Sequence, residues 1–89
     1  MEHVLYILRS EVRESYYVGL TNDLERRLYF HNHGRQGHTR RYRPWNVVYQ
    51  HSFDSREEAQ EAEQKIKSWK SKVMLRRLIH GEIVLTDYL

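Results

Sequence analysis

Eighty-nine residues, 39% hydrophobic and 12% aromatic with a net charge of +3, fit a single domain (1–89) around one modest core. The sequence has no Cys, which excludes disulfide staples, Cys-based zinc sites and a Cys nucleophile, and suits a reducing cytoplasm. No apolar run is long enough to span a bilayer and no secretory signal core is visible, so the chain reads as soluble, cytoplasmic and unprocessed.

His3–Arg9 (HVLYILR) is a short run of strand formers, and the polar stretch Ser10–Ser15 reads as a connection. Tyr16–Leu20 (YYVGL) is a second strand, close enough to the first for an antiparallel hairpin. Asn22, with Glu25 three residues later, resembles a capping box for a helix that runs to about His33 and stops at Gly34. Arg35–Pro44 is a basic loop. Trp45–Phe53 (WNVVYQHSF) is a third strand with Pro44 at its start, where Pro is tolerated.

Asp54–Glu58 offers two overlapping capping boxes for a second helix, to about Trp69, and a third helix covers roughly Ser71–His80 until Gly81 ends it. The core is expected over about residues 3–79, and the tail Glu82–Leu89 reads equally as a short strand or a loose end. The expected class is α+β: a three-stranded antiparallel or mixed sheet flanked by helices, in the order ββαβαα.

Charged residues fall where apolar ones are expected. In the first helix Leu24, Arg27, Leu28 and His31 share one face, so Arg27 and His31 are expected to aim at the sheet while Arg26 points away. In the second helix Glu63 shares a stripe with Ala59, Ala62, Ile66 and Lys70. The sheet offers Tyr6 from strand one and Tyr17 from strand two, with Gly19 on the Tyr17 face at a spacing that marks a close approach. One water-accessible hollow is expected to collect Tyr6, Tyr17, Arg27, His31 and Glu63. Plainer readings stand beside this one: tyrosines with satisfied hydroxyls in a core, a structural Arg27–Glu63 ion pair, and His31 as a partner of the helix dipole.

Between Arg26 and Phe53 there is no acidic residue, while Arg26, Arg27, Arg35, Arg40, Arg41 and Arg43 all fall there with four histidines. Such a block suits a polyanion, and Arg35, Arg40, Arg41 and Arg43 are the expected phosphate contacts.

Val4-Leu5-Tyr6, followed by Tyr17-Val18-Gly19, resembles the two tripeptides that name the GIY-YIG nucleases. The run from Tyr17 to Arg27, then His31, then Glu58-Ala59 with Glu63, Ile66 and Lys67, continues the resemblance over His3 to Ile79. His38-Thr39-Arg40, Arg43-Pro44-Trp45 and Val47-Val48-Tyr49 are similar to a group of small stand-alone bacterial members. Val4 and Leu5 replace the Gly and Ile of the first tripeptide, and the late Asn of many members is absent, the chain's three being Asn22, Asn32 and Asn46.

The resemblance implies a metal-dependent endonuclease acting on DNA phosphodiesters in repair or recombination. It implies Tyr6 as general base, His31 taking the Tyr6 proton, Tyr17 orienting the water and Arg27 holding the phosphate. Glu63 would bind one Mg²⁺ or Mn²⁺ with the substrate's help, and no other small-molecule cofactor. Any protein partner stays open. Two alternatives remain. One is a non-catalytic nucleic-acid-binding module using Tyr42 and Trp45 as stacking platforms. The other is a zinc or protein-interaction domain on His31, His33 and His38.

Overall fold

The first strand dictates the architecture. β1 (His3–Ser10) buries Leu5, Tyr6, Ile7 and Leu8 in succession. Side chains alternate across a strand, so four buried in a row require cover on both faces and a central position in the sheet. β2 (Tyr16–Thr21) and β3 (Trp45–Phe53) accordingly flank it, both antiparallel, in the order β2-β1-β3. The computed structural model describes residues 2–34 and 38–89 of the chain. Between them run α1 (Leu24–His33), α2 (Arg56–Trp69) and α3 (Lys72–Ile79), giving the α+β order ββαβαα expected from the sequence. The sheet is wholly antiparallel.

The alternation of β1 divides the interior. Leu5 and Ile7 join Phe53, Ala59, Ala62, Ile66 and Leu78 on the face covered by α2 and α3. Tyr6 and Leu8 join Trp45 on the other, where Leu24 and Leu28 of α1 pack. A register shift between Ile7 and Leu8 pairs Ile7 with Tyr49 but Leu8 with Val47. Val48 is the extra residue of this bulge, so Val48 and Tyr49 both lean toward the α2–α3 face.

The helix ends are set by local chemistry. Asp23, not Asn22, caps α1, its carboxylate accepting from the Arg26 amide at 3.1 Å. Thr21 explains the one-residue difference: its hydroxyl accepts from the Asp23 amide at 3.0 Å and turns that residue into position. For α2, Ser55 and Glu58 form the capping box, the Glu58 amide donating to Ser55 Oγ at 3.2 Å. Gly81, at φ +77°, stops α3, with the Gly81 amide bonded to the Leu78 carbonyl and the Glu82 amide to the Arg77 carbonyl.

Two expectations are corrected. The stretch after Gly34 holds a 3-10 turn, His38–Tyr42, rather than only loop. The tail is neither strand nor loose: it forms a 3-10 turn, Leu85–Tyr88, that drives Leu85 into the core at 1% exposure. The core therefore extends past residue 79, which the short, aperiodic tail does not announce. Leu85→Ala should cost about 2–5 kcal/mol. Its neighbour Val84, 56% exposed, should change stability by less than about 0.5 kcal/mol when replaced by Ala. Urea unfolding distinguishes the two, and equal midpoints would mean the tail does not pack.

Candidate active site

The site is built from the β1 face that α1 covers. Tyr6 pairs across the sheet with Gly19 of β2. A Cβ added at Gly19 would lie 2.7 Å from the Tyr6 hydroxyl and 2.9 Å from Cε1 of Tyr17, so the missing side chain is what admits both rings. The two rings sit with centroids 6.1 Å apart.

His31 descends from the last turn of α1 onto the same spot. Its Nε2 is 2.8 Å from the Tyr6 hydroxyl, and its ring lies 4.6 Å from that of Tyr17. The second ring nitrogen, Nδ1, is 2.9 Å from Thr39 Oγ1 in the 3-10 turn. Leu24 and Leu28 pack on this face as the helical stripe requires.

Arg27 lies at the exposed flank of that stripe, with its guanidinium 5.7 Å from the ring centre of Phe30. Arg27 and Phe30 also border an open cleft of about 600 Å³ with Thr21, Asn22, Asp23 and Arg26.

The electrostatics follow from burial. Tyr6 is wholly covered, and desolvation of its anion pushes the phenol up to about 12. A hydrogen-bonding interaction with Arg27 pulls in the opposite direction, and the nearby Tyr17 and Glu63 add smaller upward effects. His31 is held below the ordinary imidazole value, first by burial and then by the Arg27 charge. It is therefore neutral at neutral pH. A partner of the helix dipole would instead be stabilised as imidazolium, so that plainer reading does not describe His31.

Glu63 arrives from the other side. α1 and α2 cover opposite faces of the sheet, so the expectation of a single hollow beneath both helices is corrected. The half-buried Glu63 carboxylate is nevertheless near enough to Tyr6 for its charge to register there. Its ion-pair partner is Lys67 one turn on, at 3.3 Å, not Arg27. Such a pair on an exposed helix is worth only about 0.3–0.5 kcal/mol, so Lys67 holds the carboxylate weakly.

The accessibility of the hollow is corrected too. Tyr17 is half-buried and Arg27 exposed, but Tyr6 is sealed beneath them. A phenol whose cross-strand partner is glycine has no side chain opposite to hold it outward, and α1 closes over it.

The remaining expected residues scatter. Arg40 and Arg41 are exposed on the 3-10 turn. Arg43 is half-buried and turned inward, its Nε donating to the His31 carbonyl at 2.9 Å and an Nη to the Gly34 carbonyl. Arg35 lies outside the described residues, as does the side chain of His38. His33 stacks on Tyr29 with ring centres 4.3 Å apart, while His31 is committed to Tyr6 and Thr39. Among the described residues no three His, Cys, Asp or Glu side chains are grouped to hold a metal. A zinc site on these histidines therefore finds no support.

Sequence reasoning missed Thr39 and Asn32. The Asn32 amide clamps the backbone of Trp45 in both directions, at 2.7 and 3.1 Å. Thr39 stood in the His38-Thr39-Arg40 segment that resembles the small bacterial group, but neither its contact with His31 nor the Asn32 clamp follows from a helix or strand period.

The fold brings two tyrosines, a histidine and an arginine to one face of the sheet, with the charge of a glutamate felt from the next helix. The sequence matches the GIY-YIG catalytic domain over residues 2–77, and the chain belongs to that family. The family points to the endonuclease superfamily, whose members are generally metal-dependent and act on DNA.

Similar proteins include a UPF0213 protein of Streptococcus pneumoniae serotype 4, 42% identical over 69 residues, covering 75% of this chain and 70% of that protein. A UPF0213 protein of Staphylococcus saprophyticus is 33% identical over 81 residues, covering 90% and 98%. The solution structure of a UPF0213 protein from Bacillus halodurans superposes with a TM-score of 0.58 at 33% identity, covering 90% of this chain and 84% of that one. No helix among the described residues is long and apolar enough to cross a membrane.

Proposed function

We propose that this chain is a metal-dependent endonuclease that hydrolyses DNA phosphodiester bonds in repair or recombination, with residues 1–89 as one catalytic domain acting in the cytoplasm. The observation that carries the reading is the buried hydrogen bond between Tyr6 and a neutral His31, with the Arg27 charge felt at both. A phenol near 12 is a poor base by itself. Coupled to an imidazole that accepts its proton as it takes one from water, it becomes competent without ever standing as a free phenolate.

Arg27 holds the scissile phosphate through its forked donors, and Tyr17, half-exposed over His31, orients the water. A phosphate competes with the Tyr6 oxygen for the Arg27 guanidinium. Substrate binding thereby draws Arg27 outward and uncovers the phenol. Arg40 and Arg41 on the exposed turn grip neighbouring phosphates. Arg43, with donors spent on two carbonyls, contributes chiefly by fixing the end of α1.

The carboxylate chemistry suits a hard cation. One weakly paired glutamate, with no cluster of ligands, fits an ion such as Mg²⁺ or Mn²⁺ that keeps most of its waters. Glu63 would hold it, and the ion when bound would supply charge stabilisation to the phosphate oxygens. On this basis supercoiled plasmid should be nicked in Mg²⁺ or Mn²⁺ and left intact in EDTA. Glu63→Gln should lower metal-dependent cleavage by about a hundredfold or more, with an unchanged circular dichroism spectrum. Cleavage that persists in EDTA, or survives Glu63→Gln, sinks the assignment. The sealing of Tyr6 favours a second reading, a non-catalytic DNA-binding module. Binding without nicking under any divalent ion would establish it.

A further inference from the structure

We infer that Thr39 is a positioning residue for the reaction, fixing the tautomer of His31 so that Nε2 presents a lone pair to the Tyr6 hydroxyl. The inference rests on the nuclease reading for its catalytic consequence, but the tautomer itself is a property of the folded chain.

Three side chains form a sealed row: Tyr6 at 0% exposure, His31 at 4% and Thr39 at 5%. Tyr6 bonds to Nε2 of His31 and Thr39 to Nδ1. The row is closed enough that each of its two hydrogen bonds needs one donor and one acceptor among these three side chains. A neutral imidazole carries one N–H and one lone pair, and two arrangements satisfy the geometry. Either Tyr6 donates to Nε2 and Nδ1–H donates to Thr39, or Nε2–H donates to Tyr6 and the Thr39 hydroxyl donates to Nδ1.

Arg27 decides between them. A guanidinium only donates, so Arg27, whose charge is felt at Tyr6, offers the phenol proton no acceptor. The phenol proton therefore needs an acceptor elsewhere, and among the described residues His31 Nε2 is the acceptor within hydrogen-bond distance. A phenol is also a stronger donor than an aliphatic hydroxyl. Both considerations select Nδ1–H···Oγ1 of Thr39 with a free lone pair on Nε2.

Thr39 is held rigidly enough for this task. Trp45 Nε1 donates to the Thr39 carbonyl at 2.5 Å, and the Ser10 hydroxyl donates to the Tyr42 carbonyl at 2.6 Å. The Arg43 bond to the His31 carbonyl ties the turn back to α1. When the Tyr6 proton moves onto Nε2, the resulting imidazolium keeps its Nδ1–H partner, and no side chain has to turn.

The test combines a spectroscopic readout with kinetics. In ¹⁵N-histidine spectra at neutral pH, wild-type His31 should show a protonated Nδ1 and a bare Nε2. T39V keeps the shape but removes the acceptor, so the proton should shift toward Nε2. Its plasmid-nicking kcat should fall about tenfold to a hundredfold, the range typical of a lost hydrogen-bond partner behind a working histidine. KM should stay unchanged, and T39S should restore both the spectrum and the rate.

A wild-type spectrum with the proton on Nε2 overturns the inference. So does T39V with unaltered nitrogen shifts and an unaltered kcat. Should T39V fail to fold, T39S and the wild type decide: both have to show Nδ1–H, and Nε2–H in either refutes it. Wild-type protein that shows Nδ1–H, with the proton displaced in T39V, yet cuts no plasmid refutes the nuclease reading and supports the tautomer assignment.

Discussion

Arg27→Ala is expected to lower the cleavage rate by about 10³-fold or more, while Arg26→Ala loses less than about tenfold. The two arginines are adjacent in sequence and equal in charge, so any long-range attraction of DNA loses equally from either. They differ in where α1 aims them. Capping by Asp23 sets the phase of the helix, placing Leu24 and Leu28 on the Tyr6 face and Arg27 at its rim. The Arg27 charge is felt at both Tyr6 and His31. No such effect traces to Arg26.

Loss of Arg27 removes the phosphate grip and, among the described residues, the cation that opposes the upward drift of the Tyr6 phenol, two effects that compound. Arg27→Lys should recover little, because an ammonium lacks the planar fork that grips a phosphate with two hydrogen bonds. Single-turnover cleavage with saturating enzyme separates chemistry from binding, and circular dichroism checks the fold. Equal losses from the two substitutions would mean that the helix-face geometry does not matter.

Elements with a strong period were legible in the sequence. The apolar run of β1, the Leu24–Leu28–His31 stripe and the alanine face of α2 each reappear as a packed surface, with Arg27 left at the exposed rim. The site residues that ride on those patterns, Tyr6, Tyr17 and His31, were legible with them, because a strand or helix dictates the direction of its side chains. What periodicity does not encode is which face of the sheet each helix covers. Glu63 and Arg27 were therefore expected beneath helices on one face, whereas α2 and α1 cover opposite faces of the sheet and both charges are felt at Tyr6.

Contacts made between irregular segments were also hidden. Thr39 meets His31 only because a 3-10 turn is drawn in by Trp45, Ser10 and Arg43. Arg43 looked like a phosphate contact because its charge is visible in the sequence, whereas the two helix carbonyls that claim it are not. Leu85 illustrates the same point in the core: a short turn, not a repeat, carries it inward.

The second large effect is expected from a residue with no side chain. Gly19→Ala places a methyl group 2.7 Å from the Tyr6 hydroxyl, 2.8 Å from its Cζ and 2.9 Å from Cε1 of Tyr17. None of these atoms belongs to a flexible chain end. Tyr6 is fully enclosed and Tyr17 is stacked against His31, so relief comes only by moving β2 or by breaking the Tyr6–His31 bond. Overpacking of this kind costs about 1–3 kcal/mol of stability.

The catalytic cost should be larger, about a hundredfold, because displacement of order an ångström is enough to disable an aligned site. Tyr6→Phe, which removes the proton path without crowding, should lower the rate by about 10²–10⁴-fold and leave DNA affinity intact. If Gly19 acts only by making room for Tyr6, the double variant should be scarcely slower than Tyr6→Phe alone. Losses that multiply in the double variant would assign Gly19 a role separate from that phenol. Wild-type cleavage by either single variant would remove Tyr6 from the chemistry and leave its bond to His31 a matter of packing.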